Sequence, residues 1–262
     1  MCQPLRSSST GSAESGTGTI PPTLRSLVPD HPACTEALRT AEASLLAPIL
    51  NHSFRVFLYA YAFVKSEDPD PNTPDAQRPR YQVAPSRHIE PPALNTTEAS
   101  VALFVACILH DVGTARQFDS CAQRFEVSGA DAAAELLNRH GFPSAVVREA
   151  WLAIAVHSSA GIAEGLGGIV RAVRLAVLAD FHARPRPSLQ LLPGGEQTAE
   201  LVDTALPRLD VEKALGDRIV DGAMNDADPD LERVKAPRST WPGGLVRAKR
   251  EDPGWTGVNR AF

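Results

Sequence analysis

The run Val101-Ala102-Leu103-Phe104-Val105-Ala106-Cys107-Ile108-Leu109-His110-Asp111-Val112-Gly113-Thr114 decides the fold class. Val101, Phe104, Val105 and Ile108 recur at helical spacing, and Asn95 with Glu98 supplies an Asx-type capping box ahead of them. The helix that this predicts ends on a polar pair. His110 is four residues after Ala106 and seven after Leu103, at the C-terminal end of the apolar face.

The flanking segments carry the same period. His52, Val56, Tyr59 and Phe63 mark one face of a helix over about residues 42–64. A helix from about Gly129 is expected to stop near Gly141 and Pro143. Ser144 then caps another, carrying Val147, Trp151 and Ile154. A further helix is expected from about Gly168 to His182, with weaker ones near 196–206 and 211–224. Strand-like alternation with hairpin turns is absent from the sequence, so the expectation is an all-α single domain.

Composition sets the boundaries. Residues 1–22 are rich in Ser, Gly and Thr and are expected to be a disordered tail. The helical domain is expected over 23–225, broken by a Pro-rich insertion at 65–94 that reads as irregular and partly mobile. Residues 226–262 are expected to be an irregular extension with Trp241 and Trp255 as its large anchors.

With Lys+Arg 26 against Asp+Glu 31 the formal charge is −5, which gives no electrostatic footprint for nucleic acid. No apolar run approaches the roughly 20 residues that span a bilayer, and the N-terminal stretch lacks a secretory apolar core. A cytoplasmic protein without a membrane or nucleic-acid partner is expected, with homo-oligomerisation left open. Cys2, Cys34, Cys107 and Cys121 make no C-x-x-C pair, so a thiolate zinc site has no support.

The informative residues are polar ones at inward positions. His52 shares the face of Val56 and Tyr59. His157 is three residues after Ile154 and seven after Ala150, and Asp180 is seven after Val173 and eleven after Ile169. A buried carboxylate is costly unless paired or bound to metal. Taken singly, each residue has an ordinary explanation, such as a satisfied core histidine or a capping aspartate. Four helices that each deliver a His or Asp inward point to a converging polar site. Imidazole and carboxylate donors suit Zn²⁺, Fe²⁺ or Mn²⁺.

The blocks Asn51-His52-Ser53-Phe54-Arg55-Val56, Leu109-His110-Asp111-Val112-Gly113-Thr114, Phe125-Glu126, Glu149-Ala150 through His157, and Leu178-Ala179-Asp180 occur in that order. Together they resemble the cyanamide hydratase branch of the HD superfamily of metal-dependent helical enzymes, over about residues 43–180. The resemblance implies an HD-type helical bundle with one divalent transition metal, Zn²⁺ first and Fe²⁺ or Mn²⁺ as alternatives. It implies His52, His110, Asp111 and Asp180 as ligands with His157 beside the metal; the chemistry then expects His157 as a proton donor and Asp111, or Asp180, as the group that holds the water proton. The implied reaction is a lyase-type addition of water across a small nitrile, cyanamide to urea.

Around these residues, Arg55, Thr114 and Glu126 are expected to touch substrate or hold the ligands, and Arg55 and Glu126 could pair. The first alternative is an HD-type phosphohydrolase acting on a nucleotide or other small phosphoester. Many of those carry Lys after His-Asp-x-Gly, a cation suited to phosphate, where this chain has Thr114. The second alternative is a non-catalytic helical module with a structural metal, which two carboxylates argue against.

Overall fold

The computed structural model describes residues 19–67, 96–182, 186–192, 194–224, 229–255 and 257. In chain order its helices are α1 (Pro22–Arg25), α2 (Pro32–Ser44), α3 (Ala47–Glu67), α4 (Thr97–Leu109), α5 (Phe125–Arg139) and α6 (Ser144–Ala155). They continue with α7 (Ile162–Leu166), α8 (Gly168–Asp180), α9 (Gly195–Ala205), α10 (Val211–Met224), α11 (Pro229–Lys235) and α12 (Trp241–Glu251). Among the described residues there is no β-strand. The all-α domain expected from the sequence is what forms.

α4 is the centre. Every residue from Val101 to Leu109 is at most 3% exposed, as a helix without a polar face requires. The stretch Thr97–Thr114 is apolar enough by length and composition to cross a membrane, yet 83% of it is buried inside this domain. Around α4 pack α2, α3, α5 and α6, while α8 lies across α3 and α6. Phe54, Phe57 and Phe104 meet edge-to-face at the α3–α4 contact, with Phe57 and Phe104 centroids 4.9 Å apart.

Several boundaries differ from the sequence reading, each for a local reason. Thr96 caps α4, its hydroxyl accepting from the Ala99 N–H at 3.1 Å; Asn95 lies outside the described residues. Pro143 takes the cap position of α6, so Ser144 is its first helical residue and makes no side-chain cap. α5 begins at Phe125, one turn before Gly129. Residues 42–44 belong to α2, because Leu45 turns extended between it and α3. Residues 1–18 of the expected tail, and 68–94 of the expected insertion, lie outside the described residues. Ile20, at the end of that tail, is fully buried, with its N–H on Glu42. The extension expected to be irregular contains α11 and α12, with Leu245 and Val246 buried.

The turn that follows α4 is held by a glycine contact. Thr114 N and Ala115 N bond back to Asp111 O and Val112 O, each at 2.9 Å. A Cβ at Gly113 would overlap the Phe125 carbonyl, while one at Gly129 would lie 3.1 Å from Leu109 O. Backbone therefore meets backbone where α4 hands over to α5, and no larger residue fits at 113. Gly113→Ala is expected to cost about 3 kcal/mol, the upper end for overpacking, because the obstacle is main chain. Urea denaturation checks this; a loss within 0.5 kcal/mol, roughly the surface-mutation scale, would contradict it.

Candidate metal centre

The site is assembled from helix ends. α3 carries His52 and, one turn on, Arg55. His110 and Asp111 directly follow the last residue of α4, His157 stands two residues beyond α6, and Asp180 ends α8. His52, Arg55, His110, Asp111 and Asp180 are all 0% exposed, and His157 is 3%.

The partners of Nδ1 fix each imidazole. His110 Nδ1 lies 2.7 Å from Cys107 O, and His157 Nδ1 lies 2.7 Å from Ile154 O. A carbonyl only accepts, so both rings donate from Nδ1. His52 Nδ1 donates to Asp180 Oδ2 at 2.6 Å. In the neutral rings every Nε2 is then a bare lone pair, and these converge. His52 Nε2 and His110 Nε2 are 3.2 Å apart. Asp111 Oδ2 stands 3.1 Å from His110 Nε2 and 3.7 Å from His52 Nε2, and Asp111 Oδ1 is 3.6 Å from His157 Nε2. Both Asp111 oxygens are buried without a hydrogen-bond partner.

Acceptors facing one another in a dry interior are costly unless a cation lies among them. One proton on His110 serves at most two of them. Burial disfavours that charge, but Asp111, with help from the Cys107 carbonyl and Asp180, raises the His110 pKa overall. Asp111 is held well below the carboxylate range, since His110 and the other imidazoles overcome its burial. Burial drives His52 down, and it drives His157 down to about 4, with His110 adding to the latter. A divalent cation would satisfy several donors at once. His52, His110 and Asp111 form a buried group, with ligand atoms all within 4.8 Å of one another, that could hold one. Two imidazoles and one carboxylate leave coordination positions open, as catalytic rather than structural sites do.

The expected fourth ligand, Asp180, stands apart from that group. It lies behind His52 and is occupied: Oδ1 accepts from Arg55 Nε at 2.6 Å, and Oδ2 from Arg55 Nη2 at 2.8 Å as well as from His52. It thereby orients the His52 ring, a role that metal-ligating histidines commonly require. Arg55 also donates to Leu206 O at 2.8 Å. The expected Arg55–Glu126 pair does not form, because Asp180 takes the Arg55 fork. Glu126 instead accepts from Arg124 Nη2 at 2.5 Å and from the Ser158 hydroxyl at 2.5 Å. Thr114 closes its turn by donating to Asp111 O at 2.7 Å.

A cavity of about 10 Å³ opens on the group, about the space of one water. Its walls include Ser158, Arg174, Val177, Phe181, Leu215 and Trp241, none of which the sequence reading placed at the site. Phe181 packs on His52 with centroids 4.7 Å apart. Arg174 is held by Glu164 at 2.9 Å and by the His157 carbonyl at 3.0 Å. Ser158 and Phe181 adjoin His157 and Asp180 in sequence, a signal that was readable; Leu215 and Trp241 come from distant segments and gave none. A scan against protein-family models and a search of curated proteins find no match, so the molecule is characterised by its own geometry: an all-α domain with a buried His/Asp group that could hold a metal ion.

Proposed function

We propose that this protein is a metal-dependent hydro-lyase that adds water across a small nitrile, with cyanamide as substrate and urea as product. The observation that carries the reading is the cavity: a three-donor group with open positions faces a space of about 10 Å³. That space is about one water's, so it favours a substrate of few atoms over anything larger. A nucleotide or a bulky phosphoester does not fit it.

His52, His110 and Asp111 would hold the metal, Zn²⁺ in this reading, which would supply a Lewis acid able to bring the pKa of a water near neutrality. His157 supplies the proton path. Its Nδ1 is committed to Ile154 O, so Nε2 is the atom that exchanges protons. Being neutral in the resting site, it takes a proton as the water oxygen adds to the nitrile carbon. The C≡N π pair moves to nitrogen, His157 returns the proton there, and a tautomeric shift completes the urea. Phe181, Val177, Leu215 and Trp241 keep bulk water out. Asp111 holds the metal, while Asp180 and Arg55 keep His52 aimed.

His157→Asn tests the relay. It is expected to retain metal and lower kcat per metal ion by ~10²–10⁴-fold, the scale of general acid–base groups. Metal loss would make His157 a ligand, and unchanged turnover per metal would remove it from the mechanism.

Phosphoester hydrolysis is the second reading, favoured by Arg174 in the cavity wall. The metal-replete protein, offered cyanamide, other small nitriles and a panel of phosphomonoesters, separates the two. Urea from cyanamide is the expected result. Phosphate release without urea would overturn the hydratase reading.

A further inference from the structure

The C-terminal segment enters the wall of the cavity through Trp241. Trp241 is the first residue of α12 and lines the same cavity as His52, His110, Asp111 and His157. Its ring lies 6.3 Å from Phe125, whose ring lies 5.7 Å from His157.

Several independent contacts hold it there. The Thr240 hydroxyl accepts from the Gly243 N–H at 3.3 Å and caps the helix. Gly243 is pressed against the Pro237 carbonyl so closely that a Cβ would overlap it. Lys235, only 7% exposed, donates to the Asp119 and Gly222 carbonyls. Leu245 and Val246 are buried, and α12 packs on α10. A segment anchored in this way sets a fixed wall over the site.

We infer that Trp241 is the specificity-determining residue of the site: its indole limits what reaches the buried group to molecules of a few heavy atoms. The inference shares the site with the hydratase reading but rests on the shape of the cavity, not on the reaction. The indole is the largest side chain in the wall, so its removal enlarges the space more than any other truncation. A linear molecule of three heavy atoms passes the wild-type wall, and an aryl group does not.

The test reads access chemically, in the full-length protein as purified. Diethyl pyrocarbonate acylates accessible imidazole nitrogens, and each histidine can be followed by peptide mass spectrometry. Exposed His182 serves as the reference. In wild type, His157 is expected to label far more slowly than His182. In Trp241→Ala it should label about tenfold faster or more than in wild type, while Trp241→Phe keeps most of the protection.

His31 and His140, half-buried with ring centroids 6.0 Å apart and outside the cavity wall, report unfolding, because loosening of the whole fold labels them faster too. If Trp241→Ala shows that signature, Trp241→Leu replaces it and is expected to give the same acceleration at His157 alone. Wild-type His157 labelling at the rate of His182 would overturn the inference, as would equal His157 rates in wild type and the folded small-residue variant. A nitrile series forms the second arm: wild type should hydrate cyanamide and reject benzonitrile, with Trp241→Ala accepting both. Failure of all nitriles alongside the expected labelling would sink the hydratase reading and leave the selector role standing.

Discussion

Asp111→Asn protein is expected to lose at least about 90% of the metal found in wild type, because the change removes a donor itself and not a group that merely orients one. Among the described residues, Asp111 is the buried carboxylate whose two oxygens both lack hydrogen-bond partners, and it lies within 3.7 Å of all three Nε2 atoms. The amide keeps the shape and removes the charge, so the fold has no steric reason to change. Elemental analysis per chain makes the measurement. Asp180→Asn provides the contrast: at the metal group it removes no donor but loosens the orientation of His52, and should cost about 10–100-fold in affinity. Full occupancy in Asp111→Asn would dismiss the three-donor site.

The largest stability effect is expected behind the site. Arg55 and Asp180 are both fully buried and joined by two hydrogen bonds, at 2.6 and 2.8 Å. Removing one member strands the other charge, so Asp180→Asn is expected to cost about 3–5 kcal/mol. Replacing both by apolar residues of similar volume should recover much of that, since neither charge then needs a partner.

Acidification gives an independent check. Burial tends to raise the Asp180 pKa, but the bonds from Arg55 and His52 hold it well below the carboxylate range. A depressed folded pKa means the stabilisation is complete above the unfolded value of about 4 and is lost as pH falls through the folded value. The gap between wild type and Asp180→Asn should therefore narrow below about pH 4. Urea denaturation with chelator present measures both effects; a constant gap down to pH 2 would contradict the pairing.

The helices were legible wherever the period ran uninterrupted. α4 could be read because an apolar run without a polar face has nowhere to go but the centre, and α8 because Ile169, Val173 and Asp180 share a phase. Convergence of His52, His110 and Asp111 was legible from three inward polar residues at helix positions that otherwise demand apolar ones. Helical phase gives the face a side chain occupies but not the atom that faces it. Asp180 was therefore read as a ligand, while in the fold it meets the opposite nitrogen of His52. Glu126 was matched to Arg55 across a long stretch of chain when its partners, Arg124 and Ser158, include an immediate neighbour. The least legible part was the C-terminal segment. α12 has only a few buried residues, two glycines and two prolines nearby, and a composition close to that of a loop. Its place over the cavity depends on contacts with α10 and with Phe125 of α5, and no local pattern encodes those.

The most direct test of the central claim is anomalous diffraction from crystals of the metal-replete protein, recorded on both sides of the absorption edge of the bound element. The account predicts one peak among His52 Nε2, His110 Nε2 and Asp111 Oδ2, about 2.0–2.2 Å from each. An ordered site at that position without an anomalous peak, or a peak bound elsewhere on the chain, would contradict it.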